Sequence, residues 1–128
     1  MAGVSKGAVG EILAARFLRE RGYTILAANV RSRFGEIDII AADRQYIAFV
    51  EVKTRSEATI YAPREAVTKQ KQQRILRTAA LYLQQHPSEL QPRFDVIEIL
   101  TERENPMEVL ELDHLQGAYE AEGLHAAF

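Results

Sequence analysis

The sequence predicts a single α/β domain in which one mixed β-sheet is flanked by helices. Apolar residues recur at helical spacing in residues 5–21 and again in residues 68–86. Runs rich in β-branched and apolar residues lie between these stretches and after the second one. The length of 128 residues suits one core. The order helix, three strands, helix, two strands therefore indicates an α/β or α+β domain around one sheet.

The two helices are predicted from their apolar stripes and their ends. Gly22 is placed to end the first helix, at residues 5–21, and Pro87 stops the second, at residues 68–86. The stripes comprise Val9, Ile12, Leu13, Phe17 and Leu18 in the first helix and Ile75, Leu76, Ala79, Ala80 and Leu83 in the second.

Five strands are predicted, and the chain after them is expected to form a tail. The strands are placed at residues 23–29, 35–40, 49–55, 93–100 and 107–112. The tail from His114 is expected to add a short helix and then fray. The predicted domain spans residues 1–128, with a core at about 7–113 and a C-terminal tail at 114–128.

Composition excludes several classes of protein. The chain has no cysteine, which excludes disulfides and thiolate metal sites. No apolar run approaches the roughly 20 residues of a membrane helix. The N-terminus lacks the continuous apolar core of a signal peptide. We therefore expect a cytoplasmic protein that does not bind a membrane.

Charge is distributed unevenly along the chain. Residues 1–81 carry 14 Lys and Arg against 8 Asp and Glu, whereas residues 82–128 carry 2 against 10. The basic part suits an anionic partner such as nucleic acid. Two ordinary solvated surfaces would give the same distribution, so composition alone leaves both interpretations open.

Ionisable residues interrupt the two central strands. Side chains alternate between the two faces of a strand. On the first strand, one face carries Glu36, Asp38 and Ile40, and the other carries Ile37 and Ile39. On the second strand, one face carries Phe49, Glu51 and Lys53, and the other carries Val50 and Val52. If the strands pair with the polar faces matched, Asp38, Glu51 and Lys53 converge. Burying unpaired charges is costly, so this convergence calls for a functional or structural reason.

Two interpretations of these charges remain open. Asp38 and Glu51 could bind a hard cation such as Mg²⁺, with Glu11 and the Val52 carbonyl as further ligands. The metal could activate water for attack on phosphorus, and Lys53 would then stabilise the developing charge. The alternative is a closed salt-bridge network of Asp38, Glu51 and Lys53 that needs no metal.

Several short motifs occur together along the chain: Gly10-Glu11, Asn29-Val30-Arg31, Gly35-Glu36-Ile37-Asp38, Phe49-Val50-Glu51-Val52-Lys53-Thr54-Arg55, Lys69-Gln70 and Arg93-Phe94-Asp95-Val96. Together they resemble the YraN family of small, uncharacterised bacterial proteins. The family is similar to the endonuclease-like PD-(D/E)xK superfamily and is nearest there to archaeal Holliday junction resolvases. The resemblance covers the chain from about Gly7 to the final strand.

The resemblance implies a restriction-endonuclease-like fold with a central mixed sheet of about five strands. In that superfamily the motif Asp and the Glu of Glu-x-Lys bind Mg²⁺, and the Lys assists catalysis. These roles map onto Asp38, Glu51 and Lys53. The first-helix Glu of the resolvase branch maps onto Glu11. The acidic C-terminal third departs from the basic surface of such resolvases.

We therefore expect a nuclease dependent on Mg²⁺ (or Mn²⁺) that acts on DNA. A homodimer would suit action on both strands of a duplex or junction. The alternatives are a nucleic-acid-binding module that does not cut, or a protein-interaction module with the same fold. The candidate nucleic-acid contacts are Arg31, Arg33, Arg55, Lys69, Gln70 and Arg74.

Overall fold

The computed structural model describes residues 6–57 and 67–120. In chain order the elements are α1 (Lys6–Glu20), β1 (Thr24–Arg31), β2 (Glu36–Ala42), β3 (Tyr46–Ser56), α2 (Lys69–Gln85), β4 (Gln91–Thr101) and β5 (Val109–Tyr119). Within these residues, neither helix is both long and apolar enough to cross a membrane. The predicted order of helices and strands is confirmed.

The five strands form one mixed sheet in the order β1-β2-β3-β4-β5. The β3–β4 pair is parallel, and the other neighbouring pairs are antiparallel. A parallel pair needs a long crossover between its strands, and α2 lies in this one. This connection returns the chain to β4 beside β3.

The helices cover opposite faces of the sheet, and each face has its own core. The α1-side core comprises Val9, Leu13, Ala14, Leu18, Tyr23, Ile39, Ala41, Ala48, Val50, Ile97 and Ile99. The α2-side core comprises Ile37, Ile40, Ile47, Phe49, Ile75, Leu76, Ala79, Ala80 and Phe94. The sheet is thus a middle layer, and side chains at its ends can reach residues of either helix.

The alternation predicted for β3 is confirmed. Val50 lies in the α1-side core and Val52 packs against it, whereas Phe49 lies in the α2-side core. Glu51 contacts a lysine of α2 and therefore also faces α2. The strand places its one buried charged side chain on the α2 side of the sheet.

The alternation predicted for β2 is wrong at its beginning. Ile37 lies in the α2-side core and Ile39 in the α1-side core, although the two residues are two apart. The β2–β3 ladder pairs residues only from Ile39 to Ala42. Before Ile39 the strand no longer pairs with β3, although Glu36 and Ile37 still pair with β1, and its orientation changes at Asp38.

The C-terminal part of the chain also departs from the prediction. The prediction of a short helix after His114 is wrong, because β5 continues to Tyr119 and pairs with β4 as far as Phe94. The register shifts between Phe94 and Val96, and Gly117 in this irregular part of β5 has a φ of 59°. This left-handed conformation favours glycine. Residues 121–128 lie outside the described part of the chain.

The close approach of α1 to β3 depends on Gly10. A methyl group at this position would overlap the Thr54 hydroxyl. We expect Gly10→Ala to destabilise the protein by about 1 kcal/mol, since overpacking outweighs the gain in helix propensity. Combined with Thr54→Ala, the same change should become neutral or stabilising. A double-mutant cycle of chemical denaturation measures this coupling, and additive effects of the two changes would contradict the proposed overlap.

Candidate functional site

A pocket of about 530 Å³ opens where the beginning of β2, the middle of β3 and the first turns of α2 meet. Thr68 caps α2, since its hydroxyl accepts a hydrogen bond from the Lys71 N–H at 3.1 Å. This cap defines where α2 begins beside the pocket. The ionisable and polar side chains that line the pocket include Glu36, Asp38, Glu51, Gln70, Lys71 and Arg74.

Asp38 lies at the change of orientation in β2. Its Oδ2 accepts a hydrogen bond from the Val52 N–H at 2.8 Å. The carboxylate therefore takes the place that a backbone carbonyl would have in a continued ladder. Val52 was predicted to bind a metal through its carbonyl; in the structure, its N–H holds Asp38 in position.

The environment of Asp38 disfavours its charged form. Burial is the largest cause, and it raises the pKa of Asp38 to about 6 against the opposing Val52 hydrogen bond. The negative charges of Glu11, Glu51 and Glu36 raise this pKa further. Carboxylates crowded in this way are stabilised by a bound cation, which would favour the ionised form of each.

Three of these carboxylates lie within reach of a single ion. Glu11 of α1 and Glu36 and Asp38 of β2 offer oxygen atoms that all lie within 4.8 Å of one another. Glu36 also forms an ion pair with Arg31, at 3.3 Å. The predicted proximity of Glu11 and Asp38 is thus present in the structure, with Glu36 as a neighbour that sequence reasoning did not assign to the site.

Glu51 contributes a buried carboxylate with one unused oxygen. The residue is only 9% exposed. Its Oε1 accepts a hydrogen bond from the Lys71 ammonium. Within the described residues Oε2 is buried and has no hydrogen-bond partner. A buried acceptor without a partner is costly, so this oxygen marks a place where a cation or water would be stabilising.

The Tyr119 hydroxyl is a second buried group near this place. It too has no hydrogen-bond partner among the described residues. Burial, together with the charges of Glu51 and Asp95, raises the pKa of Tyr119 well above its ordinary value, so the phenol stays protonated. Tyr119 is one of the residues assigned by sequence to the tail, and only the pairing of β5 with β4 brings it here.

Lysine positions differ in their relation to the pocket. Lys71 lines it and pairs with Glu51, although sequence reasoning did not single this residue out. Lys53 is half-buried and lies opposite Glu98 in the β3–β4 register. Lys53 is not among the described residues that line the pocket. Its predicted catalytic role stays a prediction.

The predicted nucleic-acid contacts fall into two groups. Gln70 and Arg74 line the pocket. The others do not line it: Arg31 and Arg33 are exposed near the β1–β2 connection, Lys69 is exposed at the start of α2, and Arg55 is half-buried near the end of β3. Among these four, Arg31 contacts a carboxylate of the pocket through its ion pair with Glu36.

The donor set fits a hard divalent cation. Carboxylate oxygens are the ligands that Mg²⁺ and Mn²⁺ prefer, and the buried Glu51 Oε2 has an unshared lone pair for such an ion. The residues that would hold it are Asp38 and Glu51 from the strands, with Glu11 and Glu36 adjoining Asp38. Glu11, Asp38 and Glu51 are among the predicted ligands and Glu36 is not; the carboxylates within 4.8 Å of one another are Glu11, Glu36 and Asp38, without Glu51.

Comparison with known proteins places the chain in a family. A profile of the uncharacterised protein family UPF0102 matches residues 10–99. The chain belongs to this family. UPF0102 is the YraN family that the motifs indicate, and the match includes every carboxylate of the pocket together with Lys71.

Relatives within UPF0102 come from distant bacteria. A protein of Chlorobium phaeobacteroides is 47% identical over 116 residues, which cover 88% of this chain and 92% of the relative. One of Nocardia farcinica is 49% identical over 115 residues, covering 88% and 87%. Another, of Symbiobacterium thermophilum, is 53% identical over 94 residues, covering 73% and 80%.

The raised pKa of Asp38 predicts a pH dependence of metal binding. A ligand must lose its proton to bind a cation, so a pKa of about 6 makes protons compete with the metal below that pH. We expect the affinity for Mn²⁺ to fall about tenfold from about pH 7 to about pH 5. Calorimetric titration at both pH values measures this change. Asp38→Asn should weaken binding and flatten its pH dependence; an affinity of the wild type that stays constant would contradict the prediction.

Proposed function

We propose that this UPF0102 protein is a nuclease that uses Mg²⁺ (or Mn²⁺) to hydrolyse phosphodiester bonds in DNA. The observation that carries the proposal is the buried Oε2 of Glu51, a residue of the same pocket as Asp38; this oxygen has no hydrogen-bond partner among the residues that the structure describes. A purely structural ion-pair network would leave no buried carboxylate oxygen unsatisfied. The resemblance to the PD-(D/E)xK endonucleases points in the same direction.

The acidic side of the pocket would hold the cation. Asp38 and Glu51 are its proposed protein ligands, and Glu11, Glu36 and the Val52 carbonyl are the candidates for the remaining positions. When bound, the ion would supply Lewis-acid stabilisation of the phosphoryl oxygens and would lower the pKa of a water molecule. The Val52 N–H keeps the Asp38 carboxylate oriented toward the pocket during this chemistry.

The basic side of the pocket would hold the phosphate. Gln70 and Arg74 can donate hydrogen bonds to its oxygens from α2. Lys71 is 53% exposed, whereas the side chain of its partner Glu51 is 10% exposed, so Lys71 can move toward solvent or substrate. Lys53 and Lys71 are the candidates for stabilising the charge that develops as the P–O bond breaks.

The form of the DNA follows from the family resemblance. Kinship with Holliday junction resolvases favours branched or repair-type DNA, a homodimer and action in the cytoplasm. Arg31, Arg33, Arg55 and Lys69 are proposed as further contacts to the DNA backbone, since long cationic side chains around a pocket can track phosphates.

A cleavage assay tests this function. The purified protein is incubated with labelled four-way junction, flap, duplex and single-stranded DNA in Mg²⁺, Mn²⁺ or EDTA. We expect products in the metal buffers and none in EDTA. Parallel reactions with Lys53→Ala and Lys71→Ala show which ammonium assists the reaction. Products that form equally in EDTA, or no product on any substrate, would contradict the proposal.

A second candidate function is a binding module that does not cut. The Lys71–Glu51 ion pair favours it, because this pair compensates the Glu51 charge without a metal. Such a module would bind DNA with an affinity that falls steeply with salt, while no product forms in any metal buffer. The cleavage assay and a binding assay together distinguish the two functions.

A further inference from the structure

Two arginines meet on one aromatic ring beside the pocket. Phe34 lies in the connection between β1 and β2. The guanidinium carbon of Arg33 is 4.8 Å from the centre of this ring, and that of Arg77 on α2 is 5.4 Å from it. Both arginines are exposed and Phe34 is half-buried. Cation–π attraction therefore holds two positive charges, from separate elements, against one ring at the surface, with their guanidinium carbons no more than about 10 Å apart.

The connection that carries Phe34 is fastened to α2. Ser32 is the anchor: its hydroxyl lies 2.7 Å from the hydroxyl of Thr78, and it accepts a hydrogen bond from the Phe34 N–H at 3.0 Å. The Ser32 N–H in turn donates to the Gly35 carbonyl at 2.8 Å. Thr78 is 1% exposed. Because these bonds fix the backbone on both sides of Phe34, the ring is a rigid support for the guanidinium groups.

Arg77 lies on the same ridge of α2 as two residues of the pocket. Lys71, Arg74 and Arg77 follow one another at intervals of three along α2 and form one ridge. At a rise of about 1.5 Å per residue, Arg77 is about 9 Å along the helix from Lys71. A DNA strand advances about 3.4 Å per nucleotide, so this distance corresponds to about 2–3 nucleotides.

We propose that Arg33 and Arg77, supported by Phe34, clamp a backbone phosphate of the DNA strand about 2–3 nucleotides from the bond cut at the pocket. Two cations held together repel each other, and a phosphate between them removes that repulsion. Arginine is suited to this role because its planar group can stack on the ring and still donate hydrogen bonds from its edge. The inference rests on the proposed function for the identity of the strand.

A phosphate clamp and a merely structural role for Phe34 predict different salt dependences of DNA binding. Each phosphate contact that is lost removes one charge from the salt dependence of binding. Arg33→Gln and Arg77→Gln should therefore each lower the slope of log affinity against log salt by about 0.7 for single strands and about 0.9 for duplex. Phe34→Leu keeps both charges, so we expect weaker binding with a smaller change in slope.

The test measures fluorescence anisotropy of labelled single-stranded and duplex DNA in EDTA, from about 50 to about 200 mM salt. Arg44→Gln is the matched control, because Arg44 is exposed in the turn at the opposite end of β2. Melting temperatures confirm that each variant is folded. Reduced slopes for Arg33→Gln and Arg77→Gln, with the control unchanged, support the clamp. Slopes equal to that of the wild type overturn it.

The failure of the clamp and the failure of the nuclease give different results. Because binding is measured in EDTA, DNA that is bound through the clamp but never cut would contradict only the proposed nuclease. DNA that is cut while both slopes stay unchanged would contradict only the clamp. A wild-type protein that neither binds DNA in EDTA nor cuts it in the metal buffers would overturn both.

Discussion

Glu51→Gln should lower DNA cleavage about 10³-fold, which corresponds to about 4 kcal/mol of lost transition-state stabilisation. The substitution keeps the size of the side chain and removes its charge. The buried Oε2 that would ligate the cation becomes part of a neutral amide. The remaining carboxylates near Asp38 would then hold the ion with fewer negative ligands. Initial rates of cleavage in Mg²⁺ measure the effect.

The fold should survive this substitution. Lys71 loses its charged partner, but it is 53% exposed and can turn to solvent. Glu111→Gln makes the same chemical change at an exposed position of β5 and should leave the cleavage rate unchanged. A Glu51→Gln variant that cuts at the wild-type rate would contradict the assignment of Glu51 as a metal ligand.

Asp95→Asn should lower the free energy of unfolding by about 3 kcal/mol, because it breaks a buried ion pair. Asp95 is fully buried and accepts two hydrogen bonds from Arg93, at 2.8 and 2.9 Å. His114 Nε2 lies 2.8 Å from its Oδ2, and the Gly117 N–H donates to its Oδ1 at 3.0 Å. Asparagine would remove the countercharge that is hydrogen-bonded to the Arg93 guanidinium, whose side chain is only 11% exposed. Chemical denaturation measures the loss.

The same carboxylate should contribute to acid denaturation. Burial raises the pKa of Asp95, but the hydrogen bonds from His114, Arg93 and Gly117 outweigh it and hold this pKa below its ordinary value. The ionised group therefore stabilises the fold above its ordinary pKa of 3.8, and this stabilisation is lost as the pH falls through the lower, folded pKa. Asp95→Asn should remove this part of the pH dependence.

Asp43→Asn is the matched control for the chemical denaturation near neutral pH. Its Oδ1 accepts hydrogen bonds from the Gln45 and Tyr46 N–H groups in the β2–β3 turn, and an asparagine oxygen can accept them too. We expect a change of less than about 1 kcal/mol. Equal stabilities of the two variants would show that the buried Asp95 network contributes little to the fold.

The parts of the site that sequence predicts are those that depend on local periodicity. Alternation along β3 correctly places Glu51 and Phe49 on one face and Val50 and Val52 on the other, because this strand pairs with β4 along its whole length. The two helices follow from their stripes and caps in the same way. Such features can be predicted from residues that are close to one another in the sequence.

The parts that sequence misses depend on tertiary contacts. Lys71 reaches Glu51 only through the way α2 docks after the crossover. Glu36 approaches Glu11 because β2 changes its orientation at Asp38. At this point the Val52 N–H donates to the Asp38 side chain instead of to the backbone of β2. Alternation assumes a continuous ladder, so it cannot predict this break.

The continuation of β5 beyond Leu112 escapes prediction for a related reason. Gly117 and the polar residues around it lower the strand signal after His114. The pairing with β4 overrides this weak preference. It also brings His114 and the Gly117 N–H to Asp95, a network that is formed between strands and has no signature in any one segment.

The central claim is that the carboxylates of the pocket bind a divalent cation. Titration of the protein with Mn²⁺, followed by electron paramagnetic resonance near neutral pH, tests it most directly, because it needs no substrate. We expect stoichiometric binding to the wild type and to Glu111→Gln, and much weaker binding to Asp38→Asn and Glu51→Gln. Binding that is absent from the wild type, or unchanged in both site variants, would contradict the claim.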